Sequence, residues 1–172
     1  MTTRTGRPRR LAGVVAAAGL ATGAVATAGA PATAYDPDPE VTKTFRYTDE
    51  CPCYLADPVD GTSFKRDVGG MARKIELRRG STYLGKVEFH PLGEKVWVYD
   101  TRNDGDTFYV WVYGYDTDGV LRTWDVFIPP STSNPVDVTV GDMDIPEGVR
   151  VEISVYDDID QKDLIVATNA KA

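Results

Sequence analysis

Apolar and polar residues alternate through most of the chain. Ile75 and Leu77 sit between Lys74, Glu76 and Arg78, and Val87 and Phe89 sit between Lys86, Glu88 and His90. Val96 and Val98 are followed by Val110 and Val112, then by Trp124 and Val126. Val136, Val138 and Val140 alternate with Asp137 and Thr139, and Val149, Val151, Ile153 and Val155 alternate with Arg150, Glu152 and Ser154. A period of two, repeated this often, predicts half-buried antiparallel strands. Turn signals separate them at Asn103-Asp104-Gly105, Thr117-Asp118-Gly119, residues 129–135 and residues 141–148. Residues 41–47 read as a further strand. Residues 49–70, with both cysteines, Pro52 and Pro58, show no sustained period and read as an irregular loop. No helical stripe is expected. The predicted fold is all-β: an antiparallel β-sandwich of about seven or eight strands, with a small β-barrel as the alternative.

The turns suggest a register. Asn103-Asp104-Gly105, read as a three-residue hairpin loop with Gly105 left-handed, pairs Trp97 with Trp111, Tyr99 with Tyr109, Val96 with Val112 and Val98 with Val110. The same logic at Thr117-Asp118-Gly119 sets Val112 opposite Trp124, Val110 opposite Val126, Trp111 opposite Asp125 and Tyr113 opposite Thr123. One face then carries Val96, Val98, Val110, Val112, Trp124 and Val126, which is a core face. The other carries Trp97, Tyr99, Tyr109, Trp111 and Tyr113 beside Lys95, Thr123 and Asp125. Rings next to polar groups suit a partner that is apolar on one side and hydroxylated on the other, such as a glycan or a protein surface. The competing reading is structural, because aromatic residues also fill ordinary cross-strand pairs.

The N-terminus changes the charge picture. Arg4, Arg7, Arg9 and Arg10 precede a Gly-interrupted apolar run that ends in Ala32-Thr33-Ala34, an A-x-A cleavage site. Residues 1–34 therefore read as a cleaved signal peptide, and Tyr35-Asp36-Pro37 as a new, solvated N-terminus. Arg9-Arg10 lacks the usual neighbours of a twin-arginine signal, so general secretion is expected. Residues 35–71 form a leader with the Cys-Pro-Cys loop, residues 72–172 form the core, and 35–172 make one domain. Without the signal the balance is 15 basic against 26 acidic residues, which moves the net charge from −7 to −11. So acidic a surface repels phosphate, and nucleic acid is not an expected partner. The processed protein is expected to be secreted and extracellular, with no stable membrane insertion.

Candidate chemistry is sparse. Cys51 and Cys53 are the only cysteines. Export implies an oxidising compartment, so they are expected to pair as a local clip that closes almost no loop. His90 is the only histidine and reads as an exposed strand-end residue. No serine lies in a G-x-S-x-G elbow, and 26 acids single out no catalytic pair. Acids gather in turns at Asp104 and Asp106, Asp116 and Asp118, Asp142 and Asp144, and Asp157 to Asp163. None completes the EF-hand pattern. Solvated turns and no cofactor are expected, with Ca²⁺ in the acidic turns as the alternative. The leading expectation is a secreted, non-catalytic β-sandwich that binds a glycan or protein through Trp97, Tyr99, Tyr109, Trp111 and Tyr113. The alternatives are a small carbohydrate-active hydrolase using acidic residues, and a structural or surface interaction protein with Ca²⁺-binding loops.

Overall fold

A computed structural model of the protein describes Tyr35–Pro130 and Thr132–Ala172. The predicted signal peptide, residues 1–34, lies outside the described residues. Alternation becomes strands β1 (Glu40–Tyr47), β2 (Cys53–Leu55), β3 (Thr62–Phe64), β4 (Met71–Arg79), β5 (Thr82–His90), β6 (Lys95–Asp100), β7 (Tyr109–Tyr115), β8 (Leu121–Phe127), β9 (Asp137–Asp142), β10 (Arg150–Tyr156) and β11 (Leu164–Lys171). A 3-10 turn spans Thr48–Glu50. Apart from the small β2–β3 hairpin, the strands form one antiparallel sheet in the order β8-β7-β10-β11-β4-β5-β6-β9, with β1 added beside β4.

That path is nearly a closed barrel, but one joint is narrow. β11 and β4 share only the pair Lys171 and Met71. The sheet therefore behaves as two leaves, β1-β4-β5-β6-β9 and β8-β7-β10-β11. The inward residues of both leaves make one core. The first leaf gives Ile75, Leu77, Val87, Phe89, Val96 and Val98; the second gives Val110, Val112, Val151, Ile153, Val155 and Val166. Interdigitated inner faces are what hold two β leaves together. At the opposite seam, between β8 and β9, the Phe127 ring lies where a side chain on Gly141 would project. A Cβ there would come within 1.7 Å of the ring, so glycine is required for the seam to close.

Several sequence expectations are corrected. β6 and β7 do not form a hairpin: β6 pairs with β5 and β9, and β7 with β10 and β8. The chain leaves β6 and crosses to the other leaf. Thr101 is tied back to the start of β5, its N–H donating to the Leu84 carbonyl and its hydroxyl to the Tyr83 carbonyl. Phe108, beyond the turn, is buried in the core. Trp97 thus does not face Trp111, nor Tyr99 face Tyr109. Between β7 and β8, Tyr113 does face Thr123, but a bulge leaves Trp124 without an opposite residue. Val112 then faces Asp125, Trp111 faces Val126 and Val110 faces Phe127. Phe127, rather than Val126, enters the core, while Trp124 packs partly against it. Residues 49–70 are not irregular throughout, because they contain the β2–β3 hairpin. Tyr35 is not solvated: it is 4% exposed, with its ring stacked on Phe108 at 5.1 Å.

Candidate functional site

The outward face of β4 and β5 reads as solvent-facing from its alternation, yet it is covered. The β2–β3 hairpin lies over it, packed through Cys51, Phe64 and Ala72. Between the two layers sits a buried ionic network. Asp57 Oδ2 is 2.8 Å from Lys74 Nζ and 2.9 Å from Lys86 Nζ, and all three side chains are essentially unexposed. Asp57 Oδ1 accepts hydrogen bonds from the N–H groups of Val59, Asp60 and Gly61, a turn that Gly61 permits by its φ of +73°. Lys86 also reaches Asp60 and Glu88, both at 2.6 Å. Glu88 in turn accepts from Thr62 at 2.5 Å and meets His90 Nε2 at 2.9 Å. Burial pushes the Asp57 carboxyl up, but the hydrogen bonds from Lys74, Lys86, Val59 and Gly61 outweigh it and hold the group well below the usual carboxylate range. Burial pulls the Lys86 ammonium down, and its three carboxylate partners more than restore it.

Asp57, Asp60 and Glu88 offer oxygens within 4.8 Å of one another, a spacing that could hold a cation. The cation among them is already the Lys86 ammonium. The donor set therefore fits an ion pair network rather than Ca²⁺, which would need to displace a buried charge and find six to eight oxygens.

Trp97 and Tyr99 lie at the margin of this network, their rings stacked at 6.3 Å. Tyr99 is 5% exposed; its hydroxyl donates to Asp60 at 3.1 Å and its ring lies beneath Lys86 Nζ. Burial, then Glu88 and Asp60, push its phenol above its ordinary value. Trp97 is half-buried and lines an open cavity of ≈ 470 Å³ with Ser63, Lys65, His90 and Lys95. His90 is not the exposed strand-end residue expected. It is wedged between Phe64 and Trp97 and bonded to Glu88.

The other three predicted aromatics stand on the second leaf. Tyr109, Trp111 and Tyr113 are alternate residues of β7 and share its outward face. The predicted platform is thus divided between two leaves. Trp111, 7% exposed, packs edge-on against Tyr156 of β10 at 5.3 Å, so its face is occupied by the protein itself. Tyr113 donates to Ser154 Oγ at 2.8 Å, with Tyr156 Oη 3.3 Å away. Burial and the Tyr156 hydroxyl push the Tyr113 phenol up to about 12, with Ser154 opposing.

The row continues to Tyr115, which is 64% exposed. Tyr113 and Tyr115 form one side of a groove of ≈ 660 Å³, whose polar lining includes Asp116, Arg150, Glu152 and Asn169. Sequence reasoning stopped at Tyr113; the period-two run Tyr109, Trp111, Tyr113, Tyr115 was the signal for the fourth ring. Asp116 is fixed by N–H groups of Val120 and Asp118 and by Arg122, which hold its carboxyl below the ordinary range. A carboxylate held ionised is in the wrong state for a general acid.

Cys51 and Cys53 form the expected disulfide, with an S–S distance of 2.08 Å. It stands at the entrance to the β2–β3 hairpin. The acids of residues 104–106 and of Asp157 meet at one end of the sandwich. There burial pushes the Asp100 carboxyl up to about 6, against the hydrogen bond it accepts from the Arg102 N–H. No protein-family model, curated protein or solved structure matches the chain.

Proposed function

We propose that the protein is an exported, non-catalytic module that binds a glycan along the aromatic row of β7, at the groove where that row ends. The observation that carries this reading is the exposure of Tyr115 next to half-buried Tyr113, above Arg150, Glu152 and Asn169. A sugar ring presents an apolar C–H face and a rim of hydroxyls that both donate and accept. Two phenol rings supply the apolar contact. A guanidinium donor, a carboxylate acceptor and a carboxamide that does both supply the rim. The rigid sheet beneath fixes the rings before the ligand arrives, which reduces the ordering cost of binding. Of the five rings expected to form the surface, Trp111 is buried and acts in this reading as support, while Tyr109 and Tyr113 flank the contact. Trp97 and Tyr99 belong to the other leaf and are outside it.

The reading is tested by titrating the protein with a panel of soluble neutral oligosaccharides in a calorimeter. Tyr115→Ala should weaken binding at least about tenfold, or roughly 1.4 kcal/mol, and shift the melting temperature by no more than about 2 °C, because the ring is exposed. Binding unchanged in Tyr115→Ala, or no binding across the panel, would sink it. Capture of a protein surface by the same groove, with no sugar bound, would transfer the site to the protein-binding reading.

A further inference from the structure

Asp157 closes β10 and is 5% exposed, and neither of its carboxylate oxygens has a hydrogen-bond partner of good geometry. The backbone N–H of Tyr35 is near enough to favour its ionised form without completing such a bond. The charges that act on its carboxyl most strongly are acids: Asp106, Asp163 and Asp38. A buried carboxylate among carboxylates costs several kcal/mol unless a cation reaches it. In the intact chain it is pushed up to about 7, by burial first and by Asp106 second.

Tyr35 is the residue that follows the A-x-A site, and it is anchored. Its ring is buried against Phe108, with the Arg79 guanidinium 5.3 Å from the ring centroid on the exposed side. We propose that Asp157 is the receptor for the chain's own N-terminus: cutting the Ala34–Tyr35 bond converts the facing amide into an α-ammonium that pairs with the Asp157 carboxylate and completes the fold. The step is a hydrolysis. Water gives its hydroxyl to the Ala34 carbonyl carbon and a proton to the Tyr35 nitrogen, and that nitrogen takes a second proton from solvent. One N–H donor becomes three, with a positive charge, at a place where both oxygens of a buried carboxylate lack a partner. Ring burial of Tyr35 keeps the new terminus from swinging into water.

The proposal rests on the export reading for the position of the cut, but its test does not depend on how the protein leaves the cell. Two chains can be compared: one beginning at Tyr35, and one retaining Ala32-Thr33-Ala34. The Tyr35 chain should melt upwards of about 5 °C higher. Asp157→Asn should lower the Tyr35 chain and leave the extended chain unchanged or slightly higher, so that the difference between the two disappears. Equal melting of the two chains overturns the proposal, as does a difference that survives Asp157→Asn. A rise with Ca²⁺ in the extended chain that matches the effect of processing also overturns it, by assigning the carboxylate to a metal. N-terminal mass analysis of exported protein is a separate readout: a start elsewhere than Tyr35 would fail the export reading while leaving the pairing chemistry to stand or fall on the melting data.

Discussion

Asp57→Ala removes the anion on which both buried lysines depend. Lys74 then keeps only Glu76 at 3.8 Å and the Ala56 carbonyl at 3.3 Å, while Lys86 keeps Asp60 and Glu88. Lys74 is therefore the residue left in deficit, as an ammonium 1% exposed without a close carboxylate. Breaking a buried pair by removing one partner costs about 3–5 kcal/mol. The Val59, Asp60 and Gly61 N–H groups also lose their common acceptor, so the upper half of that range is expected. Chemical denaturation reads the loss directly, and hydrogen exchange of β2 and β3 amides separates global destabilisation from detachment of the hairpin alone. The pH dependence has a definite sign. The folded Asp57 carboxyl is depressed below its unfolded value of about 3.9, so its stabilisation is present above that pH and is lost as pH falls towards the folded value. The Asp57→Ala variant should lack that part of the acid limb. A loss below about 1 kcal/mol with the hairpin amides still protected would refute the reasoning, since it would mean that the network contributes nothing net to either layer.

Trp111→Ala should cost about 3–5 kcal/mol in denaturant unfolding, because the ring is buried against Tyr156 although it lies on an outward face; a cost near zero would show the ring to be dispensable for packing. The folded Asp100 carboxyl lies at about 6, above an unfolded value of about 3.9, so the folded state binds the extra proton and stability falls as pH rises from about 4 to about 6. Asp100→Asn should flatten that slope, as measured by melting temperature against pH, and an unchanged slope would remove Asp100 as its source.

The strands were legible because alternation is a local property and survives without knowledge of partners. Ile75 to Arg78, Val87 to His90 and Val149 to Val155 point as their pattern requires. Pairing was not legible in the same way. Asn103-Asp104-Gly105 is a good hairpin sequence, yet its flanking strands lie in different leaves, and the contrary hint was Phe108, an apolar residue that an exposed hairpin flank has no need to bury. The bulge at Trp124 shifted the β8 register by one, and nothing in the local pattern marks it. The ionic layer was missed because lysine and glutamate on alternate positions look like a wetted face. A signal existed: β4 and β5 place Lys74 opposite Glu88 and Glu76 opposite Lys86, opposed charges that lower the cost of covering the face.

The return of β9 sets the order in which this fold can be completed. β4, β5 and β6 are consecutive neighbours in both chain and sheet, as are β10 and β11. β9 follows β8 in the chain but pairs with β6 in the other leaf. Its docking must therefore close a loop that contains all of β7 and β8. Non-local closure is slow compared with meander formation, because chain entropy is spent before the contacts reward it. Until β9 arrives, the outer edge of β6 is open and Phe127 has no Gly141 to pack on, so the slowest step in folding and the last patch to be shielded from aggregation coincide at the same seam.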